Sequence, residues 1–148
     1  MNEKNIIDEV LNKLKTEKLT LNYATEIIDR GIKKARELNE NVTITVVDNS
    51  GNIISMQRMD NSILASIDVS YAKAYTAISL ESSTEELAKK TQFGEAWYGL
   101  QYSYPNKFCM LSGGVPIVKN NTYVGAIGVS GGVLENDIKI ATYALSCF

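Results

Sequence analysis

Hydrophobic and polar positions recur along this chain with more than one rhythm, and each change of rhythm marks an element. Ile6, Ile7, Val10, Leu11 and Leu14 sit at helical spacing and predict a helix over 2–16. Thr20 then stands as an N-cap for a second helix to about Leu38, with Leu21, Ala24, Ile28, Ala35 and Leu38 on one stripe. Gly31 within it costs about 1 kcal/mol against alanine, and close packing on a sheet is the simplest reason for it. Val42-Thr43-Ile44-Thr45-Val46-Val47 alternates in steps of two, the pattern of a half-buried strand. The turn cluster Asp48 to Asn52 separates it from a second strand, Ile53 to Met59, and together they predict a hairpin.

From Ile63 to Leu80 the helical pattern is apolar nearly all round. Ile67, Tyr71, Ala74 and Ile78 form one face, and Val69, Ala72, Ala77 and Leu80 cover much of the rest, so a buried helix is expected. Ser83 with Glu86 makes a capping box for a short helix to about Lys90. The aromatic stretch Phe93 to Lys107, broken by Gly94, Gly99 and Pro105, reads as an irregular connection or lid. Phe108–Leu111, Val115–Val118 and Tyr123–Val129 read as three further strands, and Leu134, Ile138, Ala141 and Leu145 line a closing helix. The pattern therefore predicts an α/β (α+β) domain: an antiparallel sheet with helices on one or both faces. Residues 1–18 are expected to form a helical extension and 19–148 the domain proper.

Composition narrows the chemistry. The 148 residues are 45% apolar and 22% charged with a net charge of −2, which suits one globular domain. No basic stripe of the kind a nucleic-acid binder needs is present. No run is long and apolar enough for a membrane span, and the start has no signal pattern, so a cytoplasmic setting is expected. Cys109 and Cys147 match no CxxC pattern and read as two unpaired, buried thiols. The chain contains no histidine. That excludes an imidazole general base, a Ser-His-Asp triad, and imidazole ligation of zinc or haem iron, and no metal site is expected.

Lys73 and Asp68 are the only charged residues of the buried helix. Five residues subtend about 140° around a helix, so they do not face each other. Lys73 must reach water, pair with an acid such as Asp60 or one of the last helix, or bind an anion, because an isolated buried ammonium is strongly disfavoured. Glu135 and Asp137 lie about 200° apart and form no carboxylate pair on one face, but Asp137 is placed to meet Lys73 across the core. Four glycines stand between 125 and 132, and glycine in a strand weakens it unless a ligand, helix or subunit must approach closely. Ser130-Gly131-Gly132 precedes a helix, whose N–H groups suit a carboxylate or phosphate; a tight turn explains it equally. Gly113-Gly114 offers similar donors or a simple turn.

Several ordered stretches carry a family resemblance: Thr45-Val46-Val47-Asp48 with Gly51, Arg58-Met59-Asp60, Ser66-Ile67-Asp68, Lys73-Ala74-Tyr75-Thr76-Ala77, Gly113 to Ile117, Val124 to Gly131, and Glu135-Asn136-Asp137. Over roughly residues 19–147 the chain resembles the GlcG/HbpS family, which includes the C-terminal domain of PduO-type proteins. The resemblance implies a profilin-like fold with a five-stranded antiparallel sheet and assembly into a homo-oligomer. It also implies haem binding, haem degradation in some members, and links to glycolate or cobalamin-dependent diol metabolism. Where relatives ligate haem through histidine, this chain has only tyrosine, cysteine or methionine to substitute. The expected function is small-molecule binding, with a tetrapyrrole or other anionic ligand held by Lys73, Gly113, Gly114, Ser130 and Gly131. Two alternatives stand beside it: an enzyme acting on a small hydroxy acid, aldehyde or haem, with Lys73 and Asp137 as acid/base partners, or a non-catalytic assembly subunit.

Overall fold

The computed structural model describes residues 2–14 and 18–148. In chain order the elements are α1 (Glu3–Leu14), α2 (Leu21–Glu37), β1 (Thr43–Asp48), β2 (Ile53–Arg58), α3 (Ser66–Ser79), α4 (Thr84–Lys90), α5 (Leu100–Ser103), β3 (Gly114–Lys119), β4 (Thr122–Ser130) and α6 (Leu134–Leu145). Residues 15 and 16, expected to end the first helix, lie outside the described residues. Capping follows the sequence: Thr20 Oγ1 accepts the Tyr23 N–H, and Ser83 Oγ accepts the Glu86 N–H.

Four strands pair antiparallel in the order β2-β1-β4-β3. The sheet is therefore four-stranded among the described residues, against five expected. The missing strand is Phe108–Leu111, whose backbone does not join the ladder; the Cys109 N–H instead donates to Thr76 Oγ1 of α3. A side-chain hydroxyl satisfies the backbone that a strand partner would have served.

Helices cover both faces of the sheet. Ile44, Val46, Ile117, Ile127 and Val129 point to α2 and α6, joining Ala24, Ile27, Ile28, Ile140, Ala141 and Ala144 in the main core. Val47 and Ala126 point the other way and pack on Ala74, Ala77 and Ile78 of α3. Strand β1, expected to be half-buried, is buried on both sides. Its polar positions are tolerated because Thr43 and Thr45 hydrogen bond Ser66 and Ser70 of α3, each at 2.7 Å, which satisfies the hydroxyls removed from water.

Glycine lets α3 lie directly on the sheet. A Cβ on Gly128 would fall onto the Ser70 carbonyl oxygen, and one on Gly114 onto the Lys73 carbonyl oxygen. The close approach foreseen for the glycine-rich strand is thus, at Gly128, the approach of a packed helix. Gly31 has the matching role in α2, where a Cβ would stand 2.6 Å from Ile44 Cδ1. Helix α1 leaves Ile6, Ile7, Val10 and Leu11 exposed. The aromatic segment is irregular apart from α5, and its Phe93 is 88% exposed.

Candidate functional site

Two features compete for function: a buried charge cluster where α6 begins, and an open cavity at the β3–β4 hairpin.

The cluster is built by packing. With the α3 backbone pressed against the sheet, the Lys73 side chain runs past the ends of β3 and β4 toward the opposite helical layer. Its Nζ donates to the Val129 carbonyl and to Asp137 Oδ2, both at 2.8 Å. Both residues of the ion pair are 1% exposed. The other carboxylate oxygen, Asp137 Oδ1, accepts the Gly132 N–H at 3.1 Å. Asp137 lies one turn into α6, and its partner Lys73 comes from the far side of the sheet, so the pair ties the two helical layers together.

Glu40 completes the cluster. Helix α2 ends with Asn39 in the left-handed region (φ 55°) and the Glu40 N–H bonded back to the Ala35 carbonyl, a Schellman-type stop. This turn delivers Glu40 to the start of α6, where its Oε1 accepts from Asn136 Nδ2 at 2.6 Å and from the Val133 N–H at 3.4 Å. The Gly132 and Val133 N–H groups just before α6, expected to be open to an anionic ligand, are instead taken by the chain's own carboxylates of Asp137 and Glu40.

The remaining sequence candidates fall around this cluster. Gly113 has φ 127°, and a Cβ there would lie 3.0 Å from Lys73 Nζ and 3.0 Å from Asp137 Cβ. The Gly114 N–H, expected as a ligand donor, is spent on Thr84 Oγ1 at 2.9 Å. Ser130 is the last residue of β4, opposite Thr43, and does not cap α6, whose N-cap position is Val133. Gly131, with φ 125°, turns the chain from β4 into α6 where a Cβ would meet the Asn41 carbonyl oxygen. Lys73, Asp137, Gly113 and Gly132 come together; the backbone donors of Gly114 and Gly132 face inward.

Burial pushes the Asp137 carboxyl above the ordinary aspartate range; the Lys73 ammonium, its hydrogen bond and the Gly132 N–H pull against it, while the Glu40 charge adds to the rise. An acid raised on folding holds its proton more tightly in the folded chain than in the unfolded one. Its contribution to stability is thus present below the ordinary aspartate value and lost as pH rises through the raised one. Glu40→Gln is expected to bring the Asp137 midpoint down, as followed by carboxyl NMR titration; an unchanged or higher midpoint would contradict the assignment.

The second feature was missed by sequence reasoning. A cavity of about 590 Å³ opens between the first turns of α2, the β3–β4 hairpin and the chain's last residues. Leu19, Tyr23, Ile117, Val118, Val124 and Phe148 give it an apolar wall, and Lys18, Glu26, Asp29, Arg30 and Lys119 supply the charges. Tyr23 and Phe148 meet edge to face at 5.6 Å, and Lys119 Nζ lies 5.2 Å from the Tyr23 ring centroid. Cys147, expected to be buried, is exposed and lines this cavity because it lies beyond the end of α6; Cys109 is half-buried, and both thiols are free. Periodicity carries no signal for such a cavity, since its walls come from three separate stretches of chain. Neither Lys73 nor Asp137 lines it.

Among the described residues, no helix is long and apolar enough to cross a membrane. Fold and sites together define an α+β domain with one antiparallel sheet between helical layers and a cavity at its hairpin end. The chain belongs to the HbpS-like family, whose model, described as haem degrading protein HbpS-like, matches residues 19–146. It is 41% identical over 130 residues to the uncharacterized 15.0 kDa protein in the dhaT-dhaS intergenic region of Citrobacter freundii, covering 88% of this chain and 92% of that protein. The crystal structure of protein ORFY from Klebsiella pneumoniae superposes with a TM-score of 0.83 at 38% identity, over 90% of this chain and 94% of that one. The structure of a PduOC:heme complex superposes with a TM-score of 0.85 at 28% identity, over 88% and 95% respectively.

Proposed function

We propose that this protein binds an amphipathic, anionic small molecule in the cavity at the β3–β4 hairpin, with a tetrapyrrole carrying carboxylate arms as the first candidate. The observation that carries the reading is the cavity itself. Its volume of about 590 Å³ falls in the range of small-molecule sites, roughly 300–1,000 Å³, which are mostly apolar with a few convergent polar groups. Apolar walls suit a flat ring system, and the basic side chains beside Glu26 and Asp29 offer partners for its polar or negative arms. The haem complex of the similar PduOC structure supports the ligand class. In this proposal the Lys73–Asp137 pair, with Gly113, Gly114, Ser130 and Gly131 around it, is the strut that holds the domain's two helical layers in register. Assembly into a homo-oligomer belongs to the same proposal, supported by the uncovered apolar stripe of α1, as does the link to glycolate or cobalamin-dependent diol metabolism that the family resemblance implies.

Absorbance and fluorescence titrations with haemin, metal-free protoporphyrin IX and cyanocobalamin test the reading. Saturable binding of a porphyrin is expected, and Val118→Glu, which places a negative charge on the half-exposed rim, is expected to weaken it by about tenfold, or about 1.4 kcal/mol. Absence of saturable binding to all three ligands would overturn it.

A further inference from the structure

Helix α6 has no basic residue in its last turn, so its final carbonyls need donors and positive charge from another element. Arg30 of α2 supplies both. Its Nε donates to the Ala144 carbonyl at 3.2 Å, and its Nη2 donates to the Tyr143 carbonyl at 3.1 Å and to Ser146 Oγ at 2.7 Å. The same guanidinium lies 5.0 Å from the Tyr143 ring centroid. Seven residues make about two helical turns, so Tyr23 stands on the same stripe of α2 as Arg30. The Tyr23 ring meets Phe148 edge to face at 5.6 Å. Helix α2 thus grips the stretch from Tyr143 to Phe148 at two points, and Cys147 and Phe148 of that stretch form one wall of the cavity.

Resting on the binding site proposed above, we infer that Arg30 is a positioning residue of the cavity, which sets the wall at residues 147 and 148 before a ligand enters. Its part in binding comes through the hydrogen bonds it makes to the end of α6, not through its charge alone. A wall already in place spares the ligand the entropy of ordering it. Lysine is no substitute at this position, because a planar fork reaches three acceptors at once, whereas an ammonium is a point charge on a flexible stem.

Amide hydrogen exchange of the ligand-free full chain, paired with fluorescence titration with metal-free protoporphyrin IX, separates this inference from its parent. The Ser146 and Phe148 amides donate to the Tyr143 and Leu145 carbonyls and report on the grip. In Arg30→Lys and in Arg30→Met their exchange is expected to speed up about tenfold, while amides of β1 and α3 keep the parent's rates. Both variants are expected to bind protoporphyrin IX about fivefold more weakly or worse. Lys34→Met removes the other cation beside the Tyr143 ring and is expected to change neither reading. Unaltered exchange at residues 146 and 148 would overturn the inference whatever the ligand does. Parent-like affinity in Arg30→Lys, lost only in Arg30→Met, would overturn it in favour of a simple charge and leave the cavity reading standing. Exchange that quickens equally in β1 and α3 would overturn it by making Arg30 a residue of general stability. If the parent binds none of protoporphyrin IX, haemin and cyanocobalamin, the cavity reading falls and the positioning role falls with it.

Discussion

Lys73→Met is expected to destabilise the fold by about 3–5 kcal/mol, the usual cost of removing one partner from a buried ion pair. The variant leaves the Asp137 carboxylate buried with only the Gly132 N–H, and leaves the Val129 carbonyl without its donor. For a chain of this size that corresponds to a fall in Tm of roughly 10–15 °C. The double variant Lys73→Met/Asp137→Leu is expected to recover most of the loss, because replacing a whole buried pair by apolar groups of similar volume is often neutral. Thermal melts of the three proteins decide the matter. A single variant as stable as the parent would show that the pair does not brace the helical layers, and a double variant no better than the single one would show that packing, and not charge, sets the cost.

Gly128→Ala is expected to be equally damaging through a different cause. The added Cβ would stand on the Ser70 carbonyl oxygen and 2.7 Å from the Ala74 nitrogen. Overpacking usually costs about 1–3 kcal/mol when a neighbouring side chain yields. Here the obstacle is helix backbone, held by its own hydrogen bonds and by the Thr45–Ser70 contact at 2.7 Å, so a loss of about 3 kcal/mol or failure to fold is expected. Urea unfolding provides the measurement, and a midpoint near that of the parent would refute the close contact.

How far the sequence foretold this molecule differs from element to element. Helices α2, α4 and α6 and the β1–β2 hairpin were legible because caps, period and turn residues agree within each segment. Lys73 was legible as a residue in need of a partner, since an ammonium on an apolar helix has few stable destinations, and helical angles had already removed Asp68. Asp137 was named for the meeting across the core and is where the ammonium goes. That Phe108–Leu111 stays out of the sheet was not legible, because its Cys109 N–H is taken by Thr76, a residue more than thirty positions away. Nor was the direction of the glycine amides, which depends on Thr84 and Asp137 arriving from other elements. Beside Thr43 and Thr45, the serines at 66 and 70 carried an unread signal: hydroxyls one helical turn apart, matched to hydroxyls two apart on a strand.

The contact between α3 and the sheet at Gly114 and Gly128 also settles where this architecture has room to vary. Main chain touches main chain there, so the seam between α3 and the sheet at these two glycines offers no slack in which evolution or design could hollow out space for a guest. In the proposed binding site, a change of guest is written on the opposite flank, where the hairpin, the opening turn of α2 and residues 147–148 meet through replaceable side chains.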